Sequence, residues 1–188
     1  GLRNLDAKRK FLKITKKFEL KDNERKISIE PNIDGLKVEF RLVYSNNIIG
    51  TQTNEINFTK NELTDVYTSR TFCLYEDIEK IKKIGLAKGG SLDNAVVIKE
   101  DEILNPGGLR NAKEFVNHKI LDLAGDFLLS GHRILGSVKC TQGGHSLSNM
   151  FLRAFFEDKK NYAIIELEKS VLDKTYFKTP ANKLAVNA

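Results

Sequence analysis

Tryptophan is absent from this 188-residue sequence, methionine occurs once, cysteine twice, and proline and histidine three times each. Cys73 and Cys140 stand 67 residues apart with no Cys-x-x-Cys spacing, which excludes a disulfide-stapled scaffold or a cysteine-rich metal knuckle and predicts reduced thiols. Scarce proline, with 40% hydrophobic and 30% charged residues, excludes a disordered or proline-rich chain. No apolar run approaches the roughly 18 residues of a membrane helix. The opening Gly1-Leu2-Arg3-Asn4 has no charged stretch leading into an apolar one. A cytoplasmic protein without a transmembrane segment is expected, and Gly1 in place of Met points to a trimmed chain. The length suits one large domain with a sizeable core.

The formal net charge of +6 is local: residues 1–26 hold ten Lys/Arg against four Asp/Glu, and the remainder balances. Such a segment can bind nucleic acid, but only Phe11 and Phe18 are aromatic there and no reading helix is recognisable. Residues 11–20 alternate as a strand with one lysine-rich wet face. The expectation is a solvated strand or a fringe for an anionic substrate, with no nucleic-acid partner.

Alternation continues over residues 26–30 and 36–44 around the turn Pro31-Asn32-Ile33-Asp34-Gly35, with a short strand at 55–58. Thr59 or Asn61 is positioned to cap a helix running to about Ser69, with Glu62 in its first turn. Ile78, Ile81 and Ile84 predict a helix from Glu76 to Ile84 that stops at Gly85. Gly89-Gly90-Ser91 then turns into an apolar strand at 95–98, making a compact βαβ insert over about 73–98. No Gly-Lys-Ser/Thr follows those glycines, so they are not a phosphate loop. The strongest helix spans 111–130, where Val116, Ile120, Leu123 and Phe127 form one stripe. A strand at 133–141, a helix at 146–157 and a strand at 162–167 follow, and the last residues read as a flexible tail. The fold class is α+β: a two-layer sandwich of a mostly antiparallel sheet packed against the 111–130 and 146–157 helices, with the small βαβ insert.

The histidines are His118, His132 and His145. His118 and Asp122, four apart on the strong helix, share a face away from the core stripe, with Asp126 one turn further along. An imidazole and a carboxylate at this spacing are a natural pair of zinc ligands, but spacing alone favours a surface His-Asp hydrogen bond. His132 reads as structural, Lys119 alone as a solvated charge, and Thr71 and Phe72 alone as a helix terminus and a core ring.

The string His118-Lys119-Ile120-Leu121-Asp122-Leu123-Ala124-Gly125-Asp126 does not stand alone. It is preceded by Ser69-Arg70-Thr71-Phe72, Gly89-Gly90-Ser91-Leu92-Asp93-Asn94-Ala95, Leu104-Asn105, Gly108-Leu109-Arg110 and Glu114-Phe115, and followed by Gly131-His132 and Gly144-His145. From about Leu2 to Pro180 this succession closely resembles the C-terminal half of the UDP-3-O-acyl-N-acetylglucosamine deacetylases, zinc amidases of bacterial lipid A synthesis. The resemblance implies that His118 and Asp122 are Zn2+ ligands and that His145 faces the scissile amide and protonates the leaving amine, supported by Asp126. It implies that Thr71 bonds the developing oxyanion, that Phe72 packs on the sugar, that Lys119 meets the diphosphate and that Tyr44 lies near the uracil. The insert would form a passage for the fatty acyl chain, and the substrate would be UDP-3-O-acyl-N-acetylglucosamine.

The same resemblance implies a third zinc ligand, a histidine, and a water-activating glutamate on an N-terminal domain preceding this chain. Residues 1–10 are then expected to be the remnant of, or link from, that domain, 11–175 the C-terminal catalytic half and 176–188 the tail. The competing expectations are a folded inactive fragment that keeps only substrate or metal binding, and a basic nucleic-acid module on residues 1–26.

Overall fold

The computed structural model describes residues 8–167 apart from residue 86. From the amino end come β1 (Arg9–Ile14), β2 (Phe18–Asp22), β3 (Arg25–Pro31), β4 (Leu36–Val43) and β5 (Thr51–Asn57), then a short helix, α1 (Thr64–Tyr67). β6 (Thr71–Leu74), α2 (Tyr75–Lys83), β7 (Ala95–Lys99) and β8 (Glu102–Ile103) follow. α3 (Glu114–Phe127), β9 (Arg133–Thr141), α4 (His145–Glu157) and β10 (Tyr162–Leu167) complete the order.

β9 is the hub of a seven-stranded sheet. Its residues 133–135 run parallel to β1, while residues 136–141 pair antiparallel with β3 and parallel with β4. The β10–β1, β2–β3 and β4–β5 ladders are antiparallel, so the sheet is mostly antiparallel. At the changeover Gly136 is required, because a Cβ there would sit 2.6 Å from Ile14 Cγ1. The chain is thus the α+β sandwich that alternation and helical periodicity predict.

The predicted stripe of α3 is its buried face: Val116, Ile120, Leu123 and Phe127 are all in the core. Each such side chain contributes roughly 1.5–3 kcal/mol on leaving water. α4 lays Phe151 and Phe155 beside it, with Phe127 and Phe151 stacked at 5.6 Å and Phe18 of β2 edge-on to Phe151 at 5.3 Å. These contacts fix the two helices side by side on one face of the sheet, which positions the site.

β6, α2 and β7 form the expected βαβ unit, with β6 and β7 parallel and β8 added antiparallel. It begins at Thr71 rather than 73, and Gly85 (φ +78°) ends its helix. Ile84, expected on the apolar stripe of this helix, lies beyond Lys83 and is 70% exposed.

Three sequence expectations are corrected. The strand at 11–20 is two strands, because at Thr15 the chain leaves the β9–β10 side of the sheet for β3; the Thr15 amide and hydroxyl bond the Asn161 and Lys160 carbonyls, and Lys16 pairs with Asp158 at 2.8 Å. The strand at 55–58 starts at Thr51, since its polar residues Gln52 and Asn54 bond α3 instead of water. The helix to Ser69 shrinks to α1: Asn61 Oδ1 accepts the Asn57 amide, and Glu62 precedes the helix, accepting from the Leu63 and Thr64 amides. The expected tail lies outside the described residues. Several cations of the basic segment are paired within the fold, Lys26 with Glu19 at 2.7 Å and Arg25 with Asp22. No helix among the described residues is long and apolar enough to cross a membrane.

Candidate active site

α3 carries His118, Lys119, Asp122 and Asp126, and α4 begins at His145, one residue earlier than predicted. His118 Nε2 lies 3.4 Å from Asp122 Oδ1, and both side chains are mostly buried. His118 Nδ1 is 3.2 Å from the Ser69 carbonyl oxygen. A carbonyl oxygen only accepts, so Nδ1 carries a proton and Nε2 is the ring nitrogen turned toward Asp122.

This donor set fits zinc. Two ligands about 2.0–2.1 Å from a tetrahedral zinc stand about 3.4 Å apart, and a metal-binding imidazole typically donates its other N–H to a carbonyl or carboxylate. Among the described residues no cluster of three His, Cys, Asp or Glu side chains is present. The cysteines do not contribute: Cys140 is buried, which pushes its thiol up to about 12, and burial also raises Cys73.

About 6 Å further along the helix axis, Asp126 accepts from His145 Nδ1 through both oxygens, at 2.9 and 3.0 Å. The His145 side chain is 71% exposed and that of Asp126 18%, so a sheltered carboxylate holds an open imidazole through Nδ1 and leaves Nε2 without a hydrogen bond among the described residues. Lys119 leans on the second oxygen of Asp122 at 3.3 Å. It also borders a cavity of about 390 Å³ lined by Arg25, Tyr44, Gln142 and Gly143. Phe72 meets Tyr44, Phe115 and His118 edge-on, with ring centroids 5.7, 5.0 and 6.5 Å away, and Thr71 is exposed at the start of β6. His132 lies apart, in an apolar cavity of about 360 Å³ with Leu121, Leu128 and Tyr67.

The turn into α4 is braced from β4. Gln142 has φ +52°, and its side-chain amide bonds both the amide and the carbonyl of Val43, offsetting the left-handed conformation. A Cβ on Gly143 would overlap Cys140 Sγ and touch the Phe40 ring at 3.4 Å. Gly143→Ala is expected to destabilise the chain by about 1–3 kcal/mol in urea unfolding, as overpacked cores do. A loss below about 0.5 kcal/mol would show that Cys140 can rotate away.

Arg70 and Glu114 fall within the matching strings, yet nothing in the sequence assigns them a role. The structure buries them together, with Arg70 Nε 2.8 Å from Glu114 Oε1. Burial opposes ionisation of Glu114, but hydrogen bonds from Arg70 and from the Arg70 and Arg110 amides hold its carboxyl below the usual carboxylate range. The signal available was a charged pair flanking apolar residues, which spacing alone does not connect.

A helix-borne His-Asp donor pair beside a second His-Asp pair, on one side of a sheet-helix sandwich, is an arrangement suited to hydrolysis. The sequence profile of the family described as UDP-3-O-acyl N-acetylglycosamine deacetylase matches residues 1–157, and the chain belongs to this family. Relatives named UDP-3-O-acyl-N-acetylglucosamine deacetylase include that of Campylobacter hominis, 38% identical over 172 residues, covering 91% of this chain and 58% of the relative. Another, from Campylobacter jejuni subsp. doylei, is 36% identical over 179 residues, covering 95% and 60%. That of Helicobacter pylori is 36% identical over 166 residues, covering 88% and 56%. The chain therefore spans somewhat under two thirds of the length of these relatives.

Proposed function

We propose that this chain supplies one half of the site of a zinc-dependent deacetylase that removes the N-acetyl group of UDP-3-O-acyl-N-acetylglucosamine in lipid A synthesis. The observation that carries the reading is the His118–Asp122 pair at 3.4 Å, with His118 Nδ1 held by the Ser69 carbonyl. His118 and Asp122 would hold the metal. Zinc, when bound, supplies Lewis-acid polarisation of the acetamide and activation of water. Two protein ligands are one short of a catalytic zinc site, so the reading assigns the third ligand and the water-activating glutamate to the amino-terminal half of the relatives' length.

The remaining steps belong to this chain. Asp126 fixes His145 through Nδ1, leaving Nε2 to give a proton to the departing amine. The Thr71 hydroxyl is open to bond the oxyanion, and Phe72 offers its ring to the sugar. Lys119 and Arg25 line a cavity with Tyr44 that suits a diphosphate and a uracil. The βαβ unit is assigned to the acyl chain.

Zinc titration of the chain beside its Asp122→Ala form, with deacetylase activity read before and after joining the amino-terminal half, tests this. Zinc is expected to bind at least about tenfold more weakly to Asp122→Ala, and activity to require the joined protein. Equal zinc affinities of the joined protein and its Asp122→Ala form overturn the ligand assignment. Activity that never appears in the joined protein favours the second reading, a folded chain retaining only binding.

A further inference from the structure

Glu114 has no exposed surface and Arg70 is 9% exposed, so both ions have left water. A buried ion pair is weak evidence for stability, because an apolar pair of similar volume usually serves as well. Its geometry is more informative. Glu114 Oε1 accepts from the Arg70 backbone amide at 3.0 Å and from Nε at 2.8 Å; Oε2 accepts from Nη2 at 3.1 Å and from the Arg110 amide at 2.6 Å. Arg70 Nη2 also donates to the Gly108 carbonyl at 2.7 Å, tying the connection between the βαβ unit and α3 to the same point.

The Arg70 amide and the Ser69 carbonyl are two ends of one planar peptide unit. Its N–H end is held by Glu114 and its C=O end receives the proton of His118 Nδ1 at 3.2 Å. Glu114 and His118 are four apart on α3, so successive turns of one helix face grip opposite ends of a single peptide. Asn111 steadies the same residue from its side chain, 3.3 Å from Ser69 Oγ.

We propose that Arg70 and Glu114 are positioning residues: by locking the Ser69-Arg70 peptide they hold His118 in the Nδ1–H tautomer and present its Nε2 beside Asp122. The proposal rests on the metal reading only for its purpose. The hydrogen bond from Nδ1 to the Ser69 carbonyl is a property of the chain without metal. Released from Glu114, the peptide can turn its carbonyl away, and the imidazole is free to exchange tautomers.

The test is the nitrogen-15 NMR spectrum of the His118 ring in the metal-free chain at alkaline pH. Glu114→Gln and Glu114→Asp are compared with Leu152→Ala, a buried-core variant of α4 that destabilises without touching the peptide. Glu114→Asp keeps the charge but shortens the reach, and serves if Glu114→Gln does not fold. The parent and Leu152→Ala are expected to show one Nδ1–H tautomer, and the Glu114 variants a mixture with zinc affinity lowered about 10–100-fold. A single unchanged tautomer in the Glu114 variants, with zinc affinity within about threefold of Leu152→Ala, overturns the proposal. If the protein joined to the amino-terminal half binds zinc no better than its His118→Ala form, the metal reading fails, and the tautomer comparison still decides the positioning role.

Discussion

On the proposed deacetylase function, His145→Ala made in the joined protein is expected to lower kcat by roughly 10²–10⁴-fold, the usual contribution of a positioned general acid. The reasoning starts from exposure. His145 is 71% exposed at the first residue of α4, and its ring is held in the described residues by Asp126, so truncation leaves no core cavity and no buried carboxylate without water. The loss should fall on kcat, with zinc stoichiometry and urea midpoint close to the parent's. Asp126→Asn should show a smaller loss of the same kind, because an amide oxygen can still accept one bond from Nδ1 where the carboxylate accepts through both oxygens. Steady-state kinetics decide the matter. A His145→Ala enzyme within about threefold of the parent would remove His145 from the chemistry.

Glu114→Ala is the largest stability effect expected in the fold. It leaves the Arg70 guanidinium buried without its counter-charge and strips two backbone amides of their acceptor, a class of change that costs about 3–5 kcal/mol. The pH dependence has a definite sign. In the folded chain the Glu114 carboxyl is held below the ordinary range; in the unfolded chain it returns to about 4.3. Its contribution is therefore complete above the unfolded value and is lost progressively as pH falls below it toward the folded one. Urea unfolding of parent and Glu114→Gln across an acid series should show the gap between them narrowing below about pH 4. A gap independent of pH would mean that the pair's electrostatics do not contribute.

Local patterning carried much of the architecture. The stripe Val116, Ile120, Leu123 and Phe127 predicted both α3 and its buried side, because helical periodicity is a property of neighbouring residues alone. Alternation located β9 and β10 to the residue. It failed at Thr15, where the strand breaks to change partners, and at Thr51, where a polar start is sheltered by bonds from Gln52 and Asn54 to α3. In both places distant residues settled a question that the local sequence leaves open.

For the candidate site the division is similar. The four-residue steps from His118 to Asp122 to Asp126 determine that these side chains share a helix face, since a helix has 3.6 residues per turn. Helical spacing says nothing of what that face meets. Bringing His145 onto Asp126 across 19 residues required α4 to pack beside α3 through Phe127 and Phe151. Setting the Ser69 carbonyl on His118 required Arg70 and Glu114, 44 residues apart, to meet in the interior. The sequence alone determined the long helices, the strands β9 and β10, the buried stripe and the inventory of reactive groups, because these depend on contacts within a few residues. Which of those groups touch across the fold, and which nitrogen of His118 meets the Ser69 carbonyl, only the tertiary structure decided, because each depends on chain segments that are neighbours in space and strangers in sequence.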